Sequence, residues 1–303
     1  MVAVTEEERA AVQVLARCVQ SHVACVLREG KRVASDEPTM DFYPEVVARC
    51  VWAVTQSWVA EALVRSLGIA GGLAVVALGQ VAVDVPRELS ALEGELQIGA
   101  LVYADAAQQT LVAATAPMLL DAAGQRVFAE DGKVPWLPAE LEATRRSRNT
   151  DVAAATRVRD AGDMTVLAET MVQRYASRVV APDGTRRHAG AMAARLVAAR
   201  ALTHVAHTAM RDAEAAVDDE HAQVVGQLLP MLALMNSLDA VIAIADRTTA
   251  ECAAARGPDW KLGNDARALS GAGQVARTRF AREVSMGGLQ REIYRRAVVA
   301  AAW

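Results

Sequence analysis

The chain has 303 residues, of which 53% are hydrophobic and only 4% aromatic, and its formal net charge is −4. A chain of this length forms one large domain or two smaller ones and can bury a sizeable core. The low aromatic content leaves few side chains for stacking on bases or sugars. Alanine and valine dominate the apolar fraction, and a core of such small side chains lets helices approach closely.

The first predicted element is a helix that starts at a capping box. Thr5 is the N-cap and Glu8 the third helical residue, so the helix should run to about Arg28 and end at Gly30. Its predicted apolar face consists of Ala11, Val14, Leu15, Cys18, His22, Cys25 and Val26. A polar loop is expected from Lys31 to Asp41.

A second helix should begin after Pro44 and break between Gly68 and Gly72. Its apolar stripe consists of Val46, Val47, Cys50, Val51, Val54, Trp58 and Leu63. Residues 66–83 carry no charge over 18 positions, near the minimum for a membrane span. Four glycines and many small side chains in this stretch favour a buried helix-turn-helix or a buried pair of strands instead. The sequence does not decide whether residues 73–83 form a helix or a strand.

Further along, Pro86 predicts the start of a short helix through Leu92. A helix is expected over 104–120, followed by an extended piece at 124–128. The clearest loop contains Asp131-Gly132 and Pro135-Trp-Leu-Pro138. Because the charge balance also changes sign there, we predict an acidic N-terminal helical region, 1–140, and an arginine-rich C-terminal helical region, 141–303.

The C-terminal region should be helical over 164–180, turn at 182–188, and then enter a long apolar block from Ala189 to Ala255. Between Leu228 and Ala245 only Asn236, Ser237 and Asp239 interrupt the apolar run. A helix that is apolar on nearly every face belongs at the centre of a bundle. A loop at 257–263 and a last helix from about Asp265, interrupted near Gly271 and Gly287-Gly288, complete a mainly α, bundle-like fold with at most minor β structure.

The two halves of the chain carry opposite charge. Residues 1–143 hold 10 Lys and Arg against 19 Asp and Glu, a net −9, whereas residues 144–303 hold 22 against 17, a net +5. Such halves can face each other within a subunit, drive association between subunits, or present a basic face to an anionic partner.

The four cysteines do not form a disulfide framework in a chain this long, and the first residues are acidic where a secretory leader would be basic. We therefore expect a reduced, cytoplasmic protein without a membrane partner. Cys18, His22 and Cys25 share one helix face and could form a zinc site with Cys50. A structural zinc site usually takes ligand pairs from tight turns, so a buried core face is the favoured interpretation.

The densest group of potential metal or catalytic residues consists of His204, His207, Glu214 and the segment Asp218–His221. No Glu-x-x-His motif, nucleotide-binding glycine loop or Gly-x-Ser-x-Gly motif accompanies it. A solvated acidic helix end is the favoured interpretation, and we expect no metal and no cofactor.

Basic side chains form clusters, two of which fall in or beside predicted loops where they can reach phosphates. These are Arg145, Arg146 and Arg148, and Arg186 with Arg187. The sequence therefore favours a structural, self-associating helical subunit, such as a coat or nucleocapsid-type protein, which contacts nucleic acid through these arginines. The alternative is an intracellular helical enzyme with a pocket around His204, His207 and the Asp218–His221 helix end.

Overall fold

The computed structural model describes residues 5–100, 102–129, 152–178, 183–254, 260–284 and 289–300. Within these ranges the chain is helical almost throughout and contains no strand, so the mainly α prediction is confirmed.

The helices of the first region are α1 (Glu6–Val33), α2 (Glu37–Phe42), α3 (Pro44–Arg65), α4 (Leu67–Ala70), α5 (Gly72–Leu96), α6 (Asp105–Ala114) and α7 (Pro117–Ala129). Those of the second region are α8 (Val152–Arg178), α9 (Asp183–Ala215), α10 (Glu220–Ala254), α11 (Trp260–Val284) and α12 (Leu289–Ala300). The predicted loop at 131–138, and with it the predicted boundary, lies outside the described residues.

The capping box at the start of α1 is confirmed. The Glu8 amide donates to the Thr5 hydroxyl at 3.1 Å, and the Glu8 carboxylate accepts from the Thr5 amide at 2.8 Å. The predicted end at Gly30 is wrong, because α1 continues to Val33. Gly30 instead allows a close approach between helices: a methyl group there would lie 2.9 Å from the Cys50 sulfur.

Two predictions in the acidic half need correction. The expected loop at 31–41 contains α2, whose own capping box joins Asp36 and Thr39 in both directions. Pro86 does not start a helix but lies inside α5. Residues 73–83, for which helix and strand were both possible, are helical because they belong to α5. Proline has no N–H to donate to the carbonyl four residues earlier, that of Ala82, and the Tyr103 hydroxyl donates to that carbonyl instead.

Other predicted boundaries also shift. The helix expected over 104–120 divides into α6 and α7, because Pro117 starts a new helix. Residues 124–128 are helical in α7 rather than extended. The expected turn at 182–188 is helical from Asp183 onward, and α11 already begins at Trp260 and passes through Gly271 without interruption.

Helix α10 occupies the centre of the C-terminal half, as its composition predicts. Every residue from Leu228 to Leu234 is buried, and Pro230 lies within the helix. The helix is surrounded by α8, α9, α11 and α12. Both α1 and α10 are long and apolar enough to cross a membrane by length and composition alone, but most of the apolar stretch of α10 is buried against other helices.

Helix α9 joins the two halves. It packs against α8 and α10 on one side and against α3, α5 and α7 on the other, while α12 returns to contact α3. One continuous hydrophobic cluster therefore contains residues of both predicted regions.

The contact between α7 and α9 depends on two glycines. A methyl group on Gly124 would overlap the Arg186 carbonyl of α9, and one on Gly190 would overlap the Leu120 carbonyl of α7. The two backbones thus touch where neither helix carries a side chain. Because the obstructing atoms belong to backbone, a larger residue can be accommodated only if the helices separate.

We therefore predict that Gly124→Ala lowers the free energy of unfolding by about 1–3 kcal/mol or more, since overpacking a core usually costs this much. Chemical denaturation followed by circular dichroism measures the change.

The matched control is Gly271→Ala in α11, where an added methyl group meets no atom within 4 Å. We expect this variant to gain about 0.5–1 kcal/mol from the better helix propensity of alanine. Equal stability of the two variants would contradict the proposed contact between α7 and α9.

Candidate functional site

Two of the five arginines predicted to bind nucleic acid lie in the described residues. Arg186 and Arg187 occupy the first turns of α9, not a loop. Arg186 is half-buried, and the exposed Arg187 pairs with Asp121 of α7 at 2.9 Å. Arg145, Arg146 and Arg148 lie outside the described residues.

Several ion pairs join the basic and acidic halves or connect helices within a half. Arg187–Asp121 and Arg291–Asp41, at 2.9 and 2.8 Å, both cross from one half to the other. All four side chains are at least a third exposed, so each pair contributes little to stability. These two pairs therefore neutralise part of the opposite charge of the two halves within one subunit.

A cleft brings together arginines from two helices, α8 and α11. It lies between α8, α10 and α11 and has a volume of about 710 Å³. Arg157, Arg159 and Arg279 line it, together with Asp160 and Asp163. Its apolar wall includes Leu234, Leu238 and Phe280, and it extends to Val152 at the start of α8.

The histidines of the alternative enzyme site lie in a different environment from the carboxylates predicted beside them. His207 is buried in the core and His204 is half-buried on the same helix. Residues 218–221 are exposed at the turn between α9 and α10, where the Asp219 carboxylate accepts a hydrogen bond from the Ala222 amide at 3.0 Å. Asp219 thus serves as a cap for α10.

The cysteine-rich face of α1 does not come together as a four-ligand site. Cys50 contacts α1 at Gly30, which is twelve residues beyond Cys18 and thus roughly 18 Å along the helix. Burial raises the pKa of the Cys50 thiol to about 12, as expected of an unreactive core cysteine. Among the described residues, no three His, Cys, Asp or Glu side chains are grouped so that they could hold a metal ion.

A buried ion pair between α8 and α9 was not predicted. The Arg200 guanidinium, only 2% exposed, contacts the Glu169 carboxylate at 2.6 Å. Sequence alone does not indicate it, because the two residues lie 31 positions apart on different helices. A buried pair of this kind fixes the relative position of its helices, and loss of one partner leaves an uncompensated charge.

An exposed apolar surface lies where α6 meets α7. Val112 is 61% exposed and Met118 82%, and the neighbouring Ala113 and Pro117 are also exposed. We call these four residues the elbow surface. The chain carries no charge from Ala106 to Leu120, and the next charged residue of α7, Asp121, pairs with Arg187.

A second pair of exposed apolar side chains lies at the N-terminal end of α6, away from the elbow surface. Val83 and Val102 are both exposed, and the hydrogen bond from Tyr103 to the Ala82 carbonyl brings their chain segments together. At the other end of α6, Gly79 of α5 lies so close that a methyl group on it would be 2.9 Å from the Ala114 side chain. Helix α6 is therefore held against α5 at both ends.

A polar cavity of about 120 Å³ lies between α3, α5, α9 and α10, on the seam between the two halves. Two of the residues that interrupt the apolar run, Asn236 and Asp239, line this cavity. The third, Ser237, points instead to Thr203 of α9, and the two hydroxyls are 3.5 Å apart. Burial raises the pKa of the Asp239 carboxyl, while Arg277 and Arg195 oppose that shift.

Comparison of the chain with protein-family models, curated proteins and solved structures finds no match in any of the three.

Proposed function

We propose that the chain is a structural, self-associating helical subunit of the coat or nucleocapsid type, which contacts nucleic acid through arginine side chains. The observation that carries the proposal is the elbow surface. Large apolar side chains exposed as a group mark an interaction site more often than isolated ones do. Here Val112 and Met118 stand on either side of the same bend, next to exposed alanine and proline.

The occupant that we propose for the elbow surface is a second copy of this chain. In a two-fold symmetric contact the same patch meets itself, so any charge near the axis faces a like charge. The stretch from Ala106 to Leu120 carries no charge, and the nearby Asp121 has Arg187 as a counter-charge, so this repulsion is reduced.

The arginines support the nucleic-acid part of the proposal. Arg187 is exposed and its carboxylate partner Asp121 is partly exposed, and a solvent-accessible pair can exchange its carboxylate for a phosphate at little cost. The cleft lined by Arg157, Arg159 and Arg279 extends to Val152, four residues after Arg148. A groove for a nucleic-acid backbone needs several such cations along one path.

We predict that the purified protein is a dimer or larger assembly and that Met118→Glu shifts it to the monomer. In the symmetric contact each copy would place a carboxylate in an apolar interface, which is unfavourable for the buried charge. Light scattering coupled to size-exclusion chromatography measures the mass.

Val275→Glu is the matched control, because Val275 is 69% exposed but lies on α11. Its mass should equal that of the unmodified protein. A monomeric unmodified protein, or an equal effect of both substitutions, would contradict self-association through the elbow surface.

For nucleic acid, we predict that replacing Arg145, Arg146, Arg148, Arg186 and Arg187 with serine weakens binding to duplex DNA and flattens its salt dependence. Each lost phosphate contact should reduce the slope of log K against log salt by about 0.9. Fluorescence anisotropy over a series of salt concentrations provides both quantities.

A control variant makes the same change in net charge within the acidic half. It replaces the exposed arginines Arg9, Arg17, Arg32, Arg65 and Arg87 with serine. The control should keep the original slope. If the two variants behave alike, the predicted arginines are not the binding site, and only the self-association part of the proposal remains.

A further inference from the structure

The polar cavity on the seam is built from pairs of side chains one helical turn apart. Helix α3 contributes Trp52 and Gln56, and α5 contributes Gln80 and Asp84. Helix α10 adds Asn236 and Asp239, and α9 adds Arg195. Spacings of three and four residues place both members of a pair on the same helix face. The cavity therefore receives polar groups from four helices and from both halves of the chain.

The side chains of the three amides of this cavity have no hydrogen-bond partner among the described residues. Gln56, Gln80 and Asn236 are half-buried, and none of these side chains forms a hydrogen bond with another residue in the part of the chain that the structure describes. Partly buried polar groups normally obtain partners from protein, water or ligand. These amides thus present NH₂ donors and carbonyl acceptors to whatever occupies the cavity.

The charged groups of the cavity already have counter-charges. Asp84 pairs with Arg87 at 2.9 Å, and Asp239 pairs with Arg277 at 3.1 Å. Arg195 is near enough to Asp239 to act on its carboxyl electrostatically. Because both carboxylates have an arginine partner, the cavity offers no unneutralised anionic group for a cation. With Arg195 as a third guanidinium against two carboxylates, the charges disfavour a cationic ligand, and the three amides favour a hydrogen-bonding one.

We propose that this cavity binds a neutral polyol no larger than a monosaccharide. A hydroxyl group both donates and accepts hydrogen bonds, so it can pair with either end of an amide and with a carboxylate oxygen. Trp52 adds an aromatic side chain to the lining, and a ring of this kind can pack against the C–H groups of such a molecule. The volume of about 120 Å³ is smaller than the engineered cavity of about 150 Å³ that holds one benzene, so a bound polyol would extend through the open mouth of the cavity.

The test is an NMR titration of the full chain with erythritol and with D-xylose. We expect saturable binding of at least one of them, weakened by about tenfold in Gln80→Leu and in Asn236→Leu, since each variant loses one or two hydrogen bonds to the ligand. Neither change strips a protein group of its partner, so both variants should keep the stability of the unmodified protein.

Gln274→Leu, an exposed glutamine on α11, is the matched control and should bind with unchanged affinity. The proposal is overturned if neither polyol binds saturably. It is also overturned if Gln80→Leu and Asn236→Leu, shown to be as stable as the control, bind the polyol with the affinity of the control. Tighter binding of glycine, ethanolamine or glycolate than of either polyol would also overturn it, because these probes carry charge.

Discussion

Helix α9 can lie between the two halves of this molecule because its neighbours meet it at residues without large side chains. Gly190 of α9 faces the Leu120 carbonyl, and Gly124 of α7 faces the Arg186 carbonyl. On the α10 side, Gly226 packs against Ala213. The small-residue composition of the chain thus has a specific structural consequence: backbones approach closely at the contacts that join the acidic and basic regions.

This arrangement determines where the surfaces of possible function lie. Helix α6 packs on α1 and α5 and α7 packs on α9, and the elbow surface at the bend between α6 and α7 is left exposed. Since α9 and α10 meet α3 and α5 across the seam, the few polar residues on those helices face one another there. Both the interaction surface and the polyol site that we propose follow from the position of α9.

Local patterns in the sequence predicted the elements that depend on local chemistry. The Thr5 capping box, the apolar stripe of α3 and the apolar character of α10 all correspond to the structure. Errors arose where a residue with a local meaning is used differently in the fold. Gly30 mediates a helix contact instead of ending α1, and Pro86 lies within a helix because Tyr103 supplies a donor for the carbonyl that it leaves free.

The candidate sites could be predicted only in part, because they combine residues that are distant in sequence. Asn236 and Asp239 were recognisable as polar interruptions, but their partners come from three other helices. The pairing of Arg187 with Asp121 and of Arg200 with Glu169 likewise depends on helix packing. The uncharged stretch from Ala106 to Leu120 contains the elbow surface and can be seen in the sequence. The absence of charge does not distinguish it, however, from the uncharged and mostly buried residues around Leu73–Val83.

The central claim is that α9 unites both halves in one cooperative core, and native-state hydrogen exchange tests it most directly. Mass spectrometry over a denaturant series gives the free energy of opening for amides in α3, α5 and α10. If the core is continuous, the most protected amides of all three helices should open with the same free energy, equal to that of global unfolding. A separate opening of α3 and α5 at lower free energy would contradict the claim and indicate two independent domains.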